Sequence, residues 1–290
     1  VLNDALAVTD DRLSVFDGVE LSGKVNVDDD QLLANVRSAI RRPYPQIKPQ
    51  ALQHTRICLV GSGPSLADTL PELVGLLHQG AKLVTLNGAY RWALDHYLHP
   101  GTQIVMDARP ENARFLEPAI PRCRYVLASQ CAPETWDVVE GRDVWMFHAA
   151  TGSSGPLKDL LDAHYLGQWF GVGGGTTVLT RAISLLRTVG YVRFDLFGAD
   201  SCWLKGRHHA FDQPENAKDK WVSMMVAPTG HPELTKVFRC SGWMVKQAED
   251  FLQQIRINGS QFVVTVHGDG LLAYILQSSA DCTLIEAGDG

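Results

Sequence analysis

From residue 56 onward the chain alternates short apolar runs with longer segments of helical periodicity. The runs at 56–60, 82–86, 103–106, 124–128, 143–147, 193–198 and 261–266 have the length of strands. Their near-continuous apolar character is that of strands covered on both faces. The segments 65–79, 89–98, 111–118, 133–139, 176–189, 241–256 and 270–277 carry apolar residues at helical spacing. Strand and helix in alternation predict an α/β fold: a Rossmann-like, doubly wound, mostly parallel sheet with helices on both faces. Such sheets bind ligands at the carboxyl ends of their strands. The residues that follow each strand are therefore the candidates for chemistry.

The beginning reads differently. Asp28, Asp29 and Asp30 precede Leu32, Leu33, Val36, Ala39 and Ile40, which share one helical face, and Pro43 and Pro45 end the run. Acidic residues favour a helix N-terminus. Residues 1–54 are expected to form an arm with one helix, packed on the main domain or on a second copy in a homo-oligomer. Residues 55–290 are the Rossmann-like domain. Within it 213–235 is polar and holds Pro214, Pro228 and Pro232, which suggests a lid or insertion.

Composition narrows the classes. Of 290 residues 45% are hydrophobic, enough for a sizeable core, and the net charge of −6 comes without a long basic block. This argues against nucleic acid as a partner. No apolar run approaches the ~20 residues of a membrane span. The polar, acidic start does not resemble a signal peptide. The six cysteines, 58, 123, 131, 202, 240 and 282, form no Cys-x-x-Cys pair. Reduced thiols and a cytoplasmic location are the expectation.

The strand at 56–60 breaks into Gly61-Ser62-Gly63-Pro64-Ser65 and then a helix. The glycines permit a tight turn and let a ligand approach the main chain. Ser62 or Ser65 is expected to cap the helix, Pro64 suits its first turn, and the N–H groups there suit a phosphate. Leu66 stands where the dinucleotide fingerprint needs a third glycine, and no lysine completes a Walker loop. Asn87 follows the next strand, where a dinucleotide fold places its ribose-binding acid; it suits a ribose hydroxyl, a base edge or a phosphate, or else caps the next helix. Asp107 and Arg109 follow the third strand as a charged pair. Gly173-Gly174-Gly175-Thr176-Thr177 opens another helix and is a second candidate anion site. Asp200, Trp203, His208, His209 and Asp212 follow the strand at 193–198 and form the densest cluster at any strand end. His208 or His209 suits acid, base or phosphate-binding work. Neighbours in extended chain point oppositely, so one of the two is expected to face the site. His267, at the last strand end, is expected to be structural.

Taken in order, Cys58 to Leu66, Leu86-Asn87-Gly88, Gly175-Thr176-Thr177, Leu196 to Asp200, His209 to Asp212 and His267 to Ala273 resemble the MptE-like family. That family includes 6-hydroxymethyl-dihydropterin diphosphokinases and motility-associated factors, and is similar in turn to bacterial sialyltransferases. The resemblance covers roughly 55–290. It implies a transferase, with a nucleotide or nucleotide sugar held by Gly61, Ser62, Gly63, Pro64, Ser65 and Asn87. It also implies that Thr176 and Thr177 lie near the phosphate. In the sialyltransferases tyrosines near the positions of Trp203 and His209 bind the departing phosphate, and a histidine before the late helix is the base. Here Phe238-Arg239-Cys240-Ser241-Gly242 holds no histidine, so His209, His208 or Asp212 would serve. Three functions follow: a glycosyltransferase-like enzyme using a nucleotide-sugar donor and an unidentified acceptor; an ATP-dependent diphosphokinase with Mg²⁺ on Asp107 and Asp200; or a nucleotide-binding protein without turnover.

Overall fold

The computed structural model describes residues 27–149, 155–211, 221–228, 231–259, 262–277 and 282–286. The chain runs α1 (Asp29–Ala39), β1 (Gln53–Val60), α2 (Leu66–His78), β2 (Lys82–Leu86), α3 (Ala89–Asp95) and β3 (Thr102–Val105). It continues through a 3₁₀ segment at Pro110–Leu116, β4 (Arg124–Ala128), α4 (Pro133–Asp137), β5 (Asp143–Ala149), α5 (Pro156–Tyr165), β6 (Gly171–Val172), α6 (Val178–Thr188) and β7 (Tyr191–Phe197). Last come β8 (Val222–Pro228), β9 (Lys236–Cys240), α7 (Gly242–Asn258), β10 (Val263–Val266), α8 (Leu271–Gln277) and β11 (Cys282–Glu286).

Eight strands form a parallel sheet in the order β10-β7-β1-β2-β3-β4-β5-β6. Strand β1 shows why its sequence is apolar without a break. Ile57 and Leu59 enter the larger core on one face, with α6 and α7. Cys58 and Val60 enter the core on the other, with α2 and α3. From β1 the chain steps outward to β6, then returns to place β7 and β10 on the other side of β1. The order thus reverses between β1 and β7, the place where open α/β sheets form their ligand crevice.

The arm packs on this domain. Asp28 caps α1 by accepting from the Gln31 N–H at 2.8 Å. Asn35 donates to the carbonyls of Ala108 and Gln130, both at 3.0 Å, just beyond β3 and β4. Residues 45–47 bond to both sides of Met146, covering part of the outer edge of β5.

Several expectations are corrected. The helix expected at 111–118 is the 3₁₀ segment. Strand β1 starts at the polar Gln53, since Gln53 bonds back to Gly190 and pairs with Tyr191. Helix α5 has no counterpart among the expected elements. Part of the supposed lid is β8, which pairs antiparallel with β9 and β11 in a second sheet. Met224 and Val226 are buried there while Ser223 and Met225 are less so, the alternation of a half-covered strand.

One carboxylate lies inside the main sheet. Asp195, on β7, accepts from Arg56 at 2.9 Å and from His267 at 3.0 Å, and His267 reaches Glu72 of α2 at 2.7 Å. The His267 ring also stacks on Phe197, with centroids 4.1 Å apart. Its role joins β10, β7 and α2. Cys58, Cys123, Cys131, Cys202 and Cys240 are free and buried, and burial pushes Cys58, Cys123 and Cys202 up to about 12. They are therefore protonated, packed thiols. Among the described residues no helix is long and apolar enough to cross a membrane.

Candidate functional site

The turn after β1 and the loop after β7 meet at the switch point. The Gly61 N–H donates to Phe197 O at 2.9 Å, and the Gly63 N–H to Gly198 O at 2.8 Å. A Cβ on Gly63 would lie 2.3 Å from Asp200 Oδ2 and 2.6 Å from Gly198 O. The glycines thus admit the chain's own backbone, where the sequence suggested access for a ligand. The cap is corrected too. Neither Ser62 nor Ser65 caps α2 with its side chain. The Ser65 N–H instead donates to Asp200 Oδ2 at 3.0 Å, so a carboxylate of the same chain occupies this helix start.

Asp200 is 2% exposed. Gly63, Gly268 and Gly270 surround it so closely that a Cβ on any of the three would press on Asp200 or, at Gly268, on Ser65. Among the described residues its Oδ1 has no hydrogen-bond partner. Burial raises the carboxyl to about 6, partly offset by Ser65.

Beyond Asp200 the chain folds back as a strap. Leu204 pairs with Arg207, and Lys205 and Gly206 take left-handed φ of 52° and 76°. The Ala210 N–H then bonds Ser62 O at 2.8 Å, and Phe211 lies so close over Gly88 that a Cβ there would be 2.7 Å from its ring. Because the strap turns, both imidazoles come together, against the expectation for extended chain. The Nδ1 atoms of His208 and His209 are 2.6 Å apart. Such a contact needs an N–H on one ring and a lone pair on the other, and the tautomers decide which ring donates. Trp203 sets its edge against His208 at 4.4 Å, and Trp243 stacks on His209 at 6.1 Å. Trp203 is held by Arg239 O and by Ser241 Oγ at 3.3 Å. Asp212 lies outside the described residues.

Asn87 ends β2 with φ of 46°, a left-handed conformation that asparagine tolerates better than most residues. It does not cap α3, whose N-cap is Gly88. Its backbone oxygen accepts from Gln103 at 2.9 Å, while its own Oδ1 is buried and has no partner among the described residues. Asp107 is bound by Arg109 through Oδ2 at 2.7 Å and Oδ1 at 3.1 Å. From β7 to β3 is three strand spacings, about 14 Å. Asp107 and Asp200, the candidate Mg²⁺ ligands, thus follow strands set well apart in the sheet. Among the described residues no three His, Cys, Asp or Glu side chains are grouped as metal ligands.

The second glycine loop is also occupied from within. Asp250 Oδ2 on α7 accepts from Thr176 N–H at 2.7 Å and Thr176 Oγ1 at 2.8 Å. Thr177 caps α6 by accepting from the Thr180 N–H. Gly174 and Gly175 have φ of 94° and 97°, and a Cβ on Gly175 would strike Thr180. The sequence identified this loop by its glycines. Asp250 gave no local signal, because its partner is 74 positions away.

Residues 30–206 match the family model described as 6-hydroxymethylpterin diphosphokinase MptE-like. The chain belongs to the MptE-like family. The matched span contains the first glycine turn, Asn87, the second glycine loop and Asp200, and ends just before His208. No curated protein matches the sequence. Among solved structures the MptE-like chain is similar to the MAf glycosyltransferase from Magnetospirillum magneticum AMB-1, with 18% identity and a TM-score of 0.63 over 83% of this chain. This likeness establishes a shared fold; the chain spans 36% of the length of that protein. A mammalian sialyltransferase aligns at 10% identity with a TM-score of 0.41, over 84% of this chain and 87% of its own.

Proposed function

We propose that the chain binds a nucleotide across the crevice between β1 and β7 and is a transferase of the glycosyltransferase kind, moving a sugar from a nucleotide-sugar donor to an acceptor hydroxyl. The observation that carries the reading is Asn87. A buried amide oxygen with no partner among the described residues is costly, and this one stands just past β2 in a left-handed conformation that no cap explains. A ribose hydroxyl or a base amino group would satisfy it.

The strap supplies the chemistry. A departing nucleoside phosphate gains negative charge as its bond to the sugar breaks, and a positioned proton donor stabilises it. His208 and His209 meet through their Nδ1 atoms beside two indole rings, next to the first glycine turn. His209 is the donor in this reading, with Trp203 and Trp243 fixing the two rings. Ser62, Gly63, Pro64 and Ser65 shape the floor; Gly175, Thr176 and Thr177 shape the wall.

A second reading, diphosphoryl transfer from ATP, is favoured by the printed description of the family. It differs in needing Mg²⁺ for the phosphates, an ion that one carboxylate, Asp107 or Asp200, would hold together with phosphate oxygens.

The test is a thermal-shift screen over CMP, CDP, UDP, GDP, ADP and ATP, with and without Mg²⁺, because a ligand of the native state raises apparent stability. A shift with a nucleotide alone supports the first reading. A shift confined to ATP with Mg²⁺ supports the second. Asn87→Gly is the decisive variant, since glycine accepts the left-handed φ and removes only the amide. Its melting temperature should hold, and its nucleotide affinity should fall by about 1–3 kcal/mol. Unchanged affinity would remove the observation on which the reading stands.

A further inference from the structure

We propose that α7 is a strut that positions the two glycine-flanked loops of the site as one unit, acting through Gln247, Asp250 and Gln254. These side chains stand at i, i+3 and i+7, one stripe of the helix, spanning about 10 Å along its axis. An exposed stripe of Gln and Asp would be unremarked, but these residues are 7%, 5% and 6% exposed. Each is spent on a loop at the carboxyl end of the sheet. Gln247 Nε2 donates to Ser201 Oγ at 2.5 Å. Asp250 takes both donors of Thr176. Gln254 Nε2 donates to Gly174 O and to Thr180 O, each at 2.8 Å.

The two ends of this stripe hold backbone in left-handed conformations. Ser201 follows Asp200 directly and has φ of 50°. Gly174 and Gly175 lie flat on α6 with left-handed φ, and a Cβ on Gly174 would meet Ser184. Gln247 and Asp250 are only about 4.5 Å apart along the axis. The loop carrying Asp200 and the loop carrying Thr176 are therefore held from adjacent turns of one rigid helix. Lys246, whose Nζ is 3.3 Å from Asp250 Oδ1, and Arg181 on α6, which feels the Asp250 charge, balance the buried carboxylate. A shift of α7 moves both loops, and loosening one loop loosens the other through it.

This deepens the reading of the two loops as parts of one nucleotide site, yet its first readout needs no ligand. The measurement is hydrogen–deuterium exchange on the full chain for wild type, Asp250→Ala, Asp250→Asn and Gln247→Ala. Asp250→Ala should speed exchange about tenfold at 173–177 and also at 199–203, which Asp250 does not touch. Gln247→Ala should do the same in the opposite order. Asp250→Asn keeps an oxygen for both Thr176 donors and should stay near wild type at both loops. If only the loop next to each substitution responds, or if Asp250→Asn behaves like Asp250→Ala, the strut is refuted. Should Asp250→Ala fail to fold, Gln247→Ala carries the same comparison. A nucleotide found by the screen should slow exchange at both loops together, and slowing at one loop alone also refutes it. If no nucleotide binds, the functional reading falls while the ligand-free exchange still judges the strut.

Discussion

Asp200 is where the fold opposes a charge most directly, and Asp200→Asn isolates that charge. Asparagine keeps the size of the side chain and an oxygen to accept the Ser65 N–H. Its nitrogen takes the place of Oδ1, which has no partner among the described residues to lose. Burial raises the carboxyl from 3.8 to about 6, an interval worth about 3 kcal/mol. The sign follows from proton linkage. The folded chain holds this proton more tightly than the unfolded chain. Its contribution to stability is therefore full below about pH 3.8 and is lost as pH rises through about 6. Above that the ionised carboxylate is a constant cost, and asparagine has none.

Urea denaturation of both proteins across about pH 3 to pH 8 reads the difference directly, since other titrating groups cancel in the comparison. The stability gap should move in favour of Asp200→Asn by about 3 kcal/mol as pH rises, and then level off. A gap that stays constant, or that moves toward wild type, would refute the account of Asp200 as a carboxyl held against its charge. A stabilising substitution that abolishes nucleotide turnover would mark Asp200 as retained for chemistry at the expense of stability.

Two further outcomes are expected. Gly63→Ala should destabilise the fold by about 1–3 kcal/mol, because the new Cβ meets Asp200 and the backbone oxygen of Gly198; a wild-type urea midpoint would show that the glycine is not there for close packing. His209→Gln should lower turnover of a donor identified by the screen by roughly 100-fold, with partial retention in His209→Tyr, which keeps an O–H donor; turnover of the Gln variant at the wild-type rate would take His209 out of the mechanism.

The parallel sheet was legible because its strands are buried on both faces and so read as continuous apolar runs. The second sheet was not, since β8 is half-covered and begins after a polar stretch, and the prolines around it suggest loop. The start of β1 was hidden for a related reason: Gln53-His54-Thr55-Arg56 is polar, and its pairing with the residues after α6 is non-local. At the site, glycines marked both loops, since backbone geometry leaves a local trace. Hydrogen bonds across the chain leave none. Nothing near Ser65 foretells Asp200, 135 positions on, and nothing near Thr176 foretells Asp250. The meeting of His208 and His209 depends on the left-handed turn at Lys205 and Gly206, which converts two side chains expected to diverge into a contact pair.

These long-range contacts change where an anion would be recognised. Glycine turns before helices usually leave backbone N–H groups for phosphate. Here Asp200 fills that place on α2 and Asp250 on the loop before α6, each within 3.0 Å of the relevant amide. A phosphate entering beside an ionised Asp200 would meet like charge in a low-dielectric surround. In the proposed reading the phosphate approaches from the strap, where the Nδ1 atoms of His208 and His209 meet beside two indole rings. Fixed helix-start amides would bind a phosphate before and after bond cleavage alike. A proton donor instead favours the charge that appears as the bond breaks, and only interactions stronger in the transition state accelerate the step. On the proposed reading, the glycine loops would set the shape of the crevice and the histidine strap would discriminate between bound donor and departing phosphate.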